Sequence, residues 1–106
     1  MTTFNDREKA FENKFAHDED MKFKASARRD KLLGLWAAEL MGLSGADADA
    51  YAASVVVADL EEAGDEDVYR KVSADLEAKG ISAEPLRAKM EELLAVAKSQ
   101  LLGEAG

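Results

Sequence analysis

Apolar positions recur every three to four residues along most of this chain, and strict alternation is almost absent. That periodicity predicts helices, not strands. Four helical runs emerge, over about residues 18–41, 45–63, 66–79 and 83–102. In the first, Leu32, Leu33, Trp36, Leu40 and Leu43 share a side. Ala48, Tyr51, Ala52, Val55 and Leu60 supply the apolar face of the second, and Val68, Val72 and Leu76 recur at i, i+4, i+8 in the third. The fourth carries Leu86, Met90, Leu93, Leu94, Ala97 and Leu101. Only Ser54–Val57 is rich in β-branched residues, and its neighbours Ala, Asp, Leu and Glu keep it within a helical pattern. Gly42, Gly45, Gly64, Gly80 and Gly103 punctuate the runs as helix stops do. Asp65 and Ser82 stand where N-caps belong, and Ile81 and Leu86 occupy the two positions of a hydrophobic staple. Connections of so few residues join close, mostly antiparallel neighbours. The expected fold class is all-α, a small four-helix bundle over residues 18–106.

Residues 1–17 read differently. Phe4, Phe11 and Phe15 are spaced by seven and four. In a helix they would fall within about 40° of each other, with charges on every other side. Such a segment is a marginal helix alone, because nucleation is costly. Two readings stay open: an extension that packs on the bundle, or a mobile arm that folds into a partner's groove.

Charge sharpens the contrast. The 106 residues carry 14 Lys+Arg and 22 Asp+Glu, a net of −8. Residues 1–31 hold eight basic and seven acidic residues, and the remaining 75 hold six and 15, so a mixed-charge start precedes an acidic body. An acidic chain is no general nucleic-acid binder, since phosphate neutralisation needs a basic surface. No Cys and a single His exclude disulfides, thiolate zinc sites and sites built on several histidines. No apolar run approaches the roughly 18–20 residues of a membrane span. The charged start reads as neither a secretory signal nor a transit peptide, which makes the cytoplasm the expected location.

No catalytic constellation is present, so the chain is not expected to be an enzyme. Gly42-Leu43-Ser44-Gly45 lacks the lysine and preceding strand of a phosphate loop. No spacing or strained turn supports a Ser/His/Asp triad. His17-Asp18-Glu19-Asp20 reads as an acidic helix start, and no metal site is expected. Arg28-Arg29, with Lys24 and Lys31, is a basic stretch on the first helix, either a solvated face or a seat for an anion such as a nucleotide phosphate.

The run Phe4-Asn5-Asp6-Arg7-Glu8-Lys9-Ala10-Phe11-Glu12-Asn13-Lys14-Phe15-Ala16-His17-Asp18-Glu19, followed by Phe23-Lys24, Ala27-Arg28-Arg29 and Lys31-Leu32-Leu33-Gly34-Leu35-Trp36, resembles the inhibitor (zeta) subunit of alphaproteobacterial F-type ATP synthases. The likeness spans the chain and is most specific over the first 40 residues; Asp30 stands where the family more often carries Asn. The resemblance implies a four-helix bundle preceded by an inhibitory arm, residues 1–17. In the family the arm becomes helical at a catalytic interface of the head, against the alternating subunits and the central rotor, and blocks ATP hydrolysis. It implies that Phe4, Phe11 and Phe15 are apolar anchors and that Asp6, Arg7, Glu8, Lys9, Glu12 and Lys14 form ion pairs with the head. Family members also bind ADP or ATP weakly on the bundle, for which Arg28 and Arg29 are the candidate residues. The free protein is then a monomer, without a resident cofactor and without membrane insertion, attached peripherally through the synthase. A small acidic helical adaptor or nucleotide sensor is the alternative.

Overall fold

The computed structural model describes residues 19–61 and 65–105, which form four α-helices: α1 (Glu19–Leu40), α2 (Gly45–Glu61), α3 (Asp65–Ala78) and α4 (Leu86–Ala105). No strand occurs among the described residues. Residues 1–17, where the arm is expected, lie outside them.

Two helix ends share one device. At the end of α1, the Leu43 amide donates to the Ala38 carbonyl at 2.8 Å and the Gly42 amide to Glu39 at 3.1 Å. At the end of α3, the Ile81 amide donates to Leu76 at 2.9 Å and the Gly80 amide to Glu77 at 2.9 Å. This pair of crossing bonds is the Schellman motif, and it requires a left-handed residue just past the helix. Gly42 (φ 80°) and Gly80 (φ 74°) provide it without a Cβ penalty.

α4 departs from expectation at both ends. Its start falls at Leu86, because residues 83–85 form a tight turn closed by the Leu86 amide on the Ala83 carbonyl at 3.0 Å. Ser82 Oγ accepts from the Glu84 amide at 3.2 Å and so caps this turn. At the far end the helix runs through Gly103, which stops nothing.

α1 is the central element and packs chiefly on α2 and α4. The main core joins Leu33 and Ala37 of α1, Val55 of α2, Val68, Val72 and Leu76 of α3, and Leu86 and Met90 of α4. Each large side chain buried there contributes roughly 1.5–3 kcal/mol by leaving water. A smaller cluster of Ala25 and Leu101, with Met21, Leu94 and Leu102 against it, closes the end of the bundle at which α1 begins.

The stripe of α3 is as expected, all three residues being fully buried. Two expectations fail. Leu60 is 58% exposed, since five residues past Val55 is about 140° around the helix and off the buried side. Leu40, the last residue of α1, is 45% exposed although it lies two turns on from buried Leu33; α1 also buries the small residues Ala25, Ala37 and Ala38. Gly34 shows why small residues serve here. A Cβ on it would stand 2.5 Å from the Ala52 Cα, closer than atoms can approach, so a side chain at 34 would force α1 and α2 apart.

Candidate functional site

Arg28 and Arg29, adjacent in sequence, part company in space. One residue is about 100° of helix rotation, which sends the two guanidinium groups to different environments.

Arg28 lies on the outer side of α1, in line with Lys24 and Lys31 at i−4 and i+3. These three cations border an open cleft of about 650 Å³ whose apolar wall includes Phe23, Val56 and Leu101. Lys24 pairs with Asp20 at 3.3 Å, an exposed contact of little worth. Arg28 Nη1 reaches Gln100 Oε1 at 3.5 Å, which ties the cleft's α1 and α4 walls together. Cations set around an apolar, partly aromatic surface suit a ligand with an anionic end and a flat apolar end.

Arg29 is only 2% exposed. Its Nε donates to Asp30 Oδ1 at 2.7 Å and its Nη2 to Asp65 Oδ1, at the start of α3, at 2.9 Å. Burial alone would lower its pKa, but Asp65 and Asp30 outweigh that and hold the guanidinium charged. It is a structural joint between α1 and α3, so of the two expected anion ligands only Arg28 faces the cleft.

Asp30 is fully buried, and no amino or hydroxyl group donates to its Oδ2. Burial pushes its carboxyl up to about 8, nearby Asp59 adds to the push, and Arg29 opposes it. The one-residue offset from Arg29 was the available sign of this site, but apolar periodicity is blind to a buried charge. Elsewhere an exposed ion pair and a tyrosine hydroxyl connect neighbouring helices. Arg87 of α4 forms a bidentate pair with Glu66 of α3 at 2.9 and 3.0 Å and lies 4.0 Å from the Tyr69 ring centre. The Tyr51 hydroxyl donates to Asp75 Oδ2 at 2.8 Å, an oxygen that Lys71 also reaches at 3.0 Å.

The nine expected arm residues, Phe4, Asp6, Arg7, Glu8, Lys9, Phe11, Glu12, Lys14 and Phe15, lie outside the described residues. Among those described, no group of three or more His, Cys, Asp or Glu is placed to hold a metal ion, and no helix is long and apolar enough to cross a membrane.

Four short helices packed around one main core, with a cation-bordered cleft on the first of them, define a small all-helical protein. The family whose description is ATPase inhibitor subunit zeta matches residues 1–100, and the chain belongs to that family. A protein structure solved by solution NMR is 61% identical, with a TM-score of 0.71 over 79% of this chain and 98% of that one. No curated protein matches the chain. Membership gives the chain the role of an ATPase inhibitor subunit, a regulatory protein associated with the ATP synthase.

Proposed function

We propose that this protein blocks ATP hydrolysis by the F-type ATP synthase when residues 1–17 insert, as a helix, into a catalytic interface of the head. One observation carries this reading: the family match starts at residue 1, so the Phe4–Phe11–Phe15 stripe is part of what places the chain among ATPase inhibitors. The three rings are the anchors, buried between the alternating subunits and near the central rotor, because large aromatics dominate interface energetics. Asp6, Arg7, Glu8, Lys9, Glu12 and Lys14 form ion pairs that set register and speed encounter. Folding on binding costs ordering free energy but lets a thin segment enter a cleft too narrow for the bundle. The acidic bundle stays outside and limits the depth of insertion. A wedge of this kind needs no chemistry of its own, so the protein is a regulator and not an enzyme. It acts as a monomer when free, on the cytoplasmic side, peripheral to the membrane through its partner.

The cleft favours a second, compatible activity: weak binding of ADP or ATP, with phosphates at Arg28, Lys24 and Lys31 and the base toward Phe23. Arg28→Ala then weakens ADP-induced shifts of α1 amide resonances. Arg29 contributes only by holding the bundle together.

The insertion reading is tested by hydrogen exchange on the full-length protein, free and bound to the cognate catalytic head. Slowed exchange of amides 4–15 on binding is the expected result. Protection confined to the bundle, with the arm exchanging as in the free protein, contradicts it.

A further inference from the structure

We propose that the bundle makes a contact of its own with the catalytic head. The outer face of α1 beside the arm, with Phe23, Lys24, Arg28 and Lys31, together with Val56 and Leu60 of α2, docks on an acidic, partly apolar protein surface at the rim of the cleft that the arm enters. This rests on the insertion reading and adds to it the side of the bundle that faces the partner. Continuity of the chain is the first support. α1 begins at Glu19, directly after the arm, so Phe23 stands about 6 Å and Lys31 about 18 Å from that point along the helix axis. With residues 1–17 inserted, the first turns of α1 lie at the mouth of the partner's cleft and meet its rim.

Charge on this face is opposite to that of the bundle as a whole. Between Met21 and Ala38 the only acidic residue of α1 is Asp30, which is fully buried. The surface charges of that stretch are therefore all positive: Lys22, Lys24 and Lys31 are exposed and Arg28 is half-buried. α2, which walls the cleft on one side, has no Lys or Arg, and residues 32–106 hold six basic against 15 acidic residues. A cationic stripe on an acidic body turns that one face toward an acidic partner during encounter and penalises other orientations.

The apolar part of the face is just as distinctive. Phe23 is 56% exposed, and among the described residues it is the one aromatic ring left so open; Trp36, Tyr51 and Tyr69 are half-buried. Val56 lines the same cleft, and Leu60, one turn further along α2, is exposed. Because α1 and α2 run antiparallel, Leu60 extends this apolar spot toward the start of α1, where the arm leaves. An open ring with aliphatic neighbours, bordered by cations, has the makeup of an interface anchor and its polar rim. The cations run along about 10 Å of helix from Lys24 to Lys31, a row that a surface with several carboxylates engages over its whole length.

The test compares the full-length parent with Lys31→Glu, Phe23→Ala and Lys79→Glu, the last reversing an exposed charge just past the end of α3. All three positions are exposed, so each variant keeps the fold. Binding to the cognate catalytic head and inhibition of its ATP hydrolysis are both measured, at low and at high salt. Lys31→Glu is expected to bind and inhibit about fivefold more weakly than the parent at low salt, with the gap narrowing at high salt. Phe23→Ala is expected to be weaker by about fivefold at either salt, because its loss is apolar. Lys79→Glu is expected to match the parent. Equal binding by all four proteins overturns the proposal, and so does an equal loss in Lys79→Glu, which marks an effect of net charge alone. A Lys31→Glu protein that loses ADP-induced shifts of α1 amides yet binds the head as the parent does also overturns it, leaving the face as a seat for small anions. The insertion reading fails separately: a parent that binds the head more tightly than Lys31→Glu but leaves hydrolysis untouched contradicts insertion and supports the docking face.

Discussion

A chain beginning at Asp18 is expected to fold as the full protein does and to leave ATP hydrolysis uninhibited. The fold half of this expectation follows from the core: every residue of its two described clusters lies between Met21 and Leu102. The functional half follows from what the deletion removes. Three aromatic anchors at an interface, at about 2 kcal/mol each or more, amount to about 6 kcal/mol. That is roughly four orders of magnitude in affinity. Ion pairs of the remaining bundle do not compensate, since exposed pairs contribute at most about 1 kcal/mol. Urea denaturation and hydrolysis assays on the same preparation check both halves. A truncated chain that is instead markedly less stable than the parent would show the three rings packed on their own bundle, as in a helical adaptor.

Arg29→Ala should be the most damaging single substitution in the bundle. The side chain is buried and bridges α1 to α3 through two hydrogen bonds of 2.7 and 2.9 Å. Removing it leaves a cavity and takes from the buried Asp30 the guanidinium that donates to its Oδ1. Breaking a buried ion pair from one side costs about 3–5 kcal/mol, a large share of the roughly 5–15 kcal/mol that stabilises a small domain. Arg29→Met restores most of the volume and should recover part of the loss, which separates packing from hydrogen bonding. With its cation gone, Asp30 holds its proton to higher pH, so the variant's deficit is partly softened in acid. Guanidinium unfolding at pH 6 and pH 9 measures these effects; a loss below about 1 kcal/mol for Arg29→Ala would mean that the joint is incidental.

Much of the architecture was legible in residue spacing, and the failures have physical causes. Val68, Val72 and Leu76 announce α3 because large apolar residues on one side of a helix have no other use, and all three are fully buried. Gly42 and Gly80 mark helix ends because only glycine adopts their backbone angles at no cost. α1 was harder. Its buried side is built from Ala25, Gly34, Ala37 and Ala38 around Leu33, and small residues give weak apolar contrast. Arg29 and Asp30 lie on that side too, and a charged pair reads as surface until its partners across the bundle are known. Phe23 and Val56, which share the cleft with Arg28, are 33 positions apart, so only the antiparallel packing of α1 on α2 brings them together. The resemblance to the inhibitor family was legible as well, and the family match over residues 1–100 bears it out.

The central claim, that this chain restrains ATP hydrolysis through its first residues, is tested most directly by titrating the full-length protein into the cognate catalytic head. ATP hydrolysis is followed alongside a Phe4→Ala, Phe11→Ala, Phe15→Ala triple variant. The account predicts that hydrolysis falls to a low plateau with the parent protein and stays at its starting rate with the variant at the same concentrations. Equal inhibition by both proteins, or none by either, would contradict it.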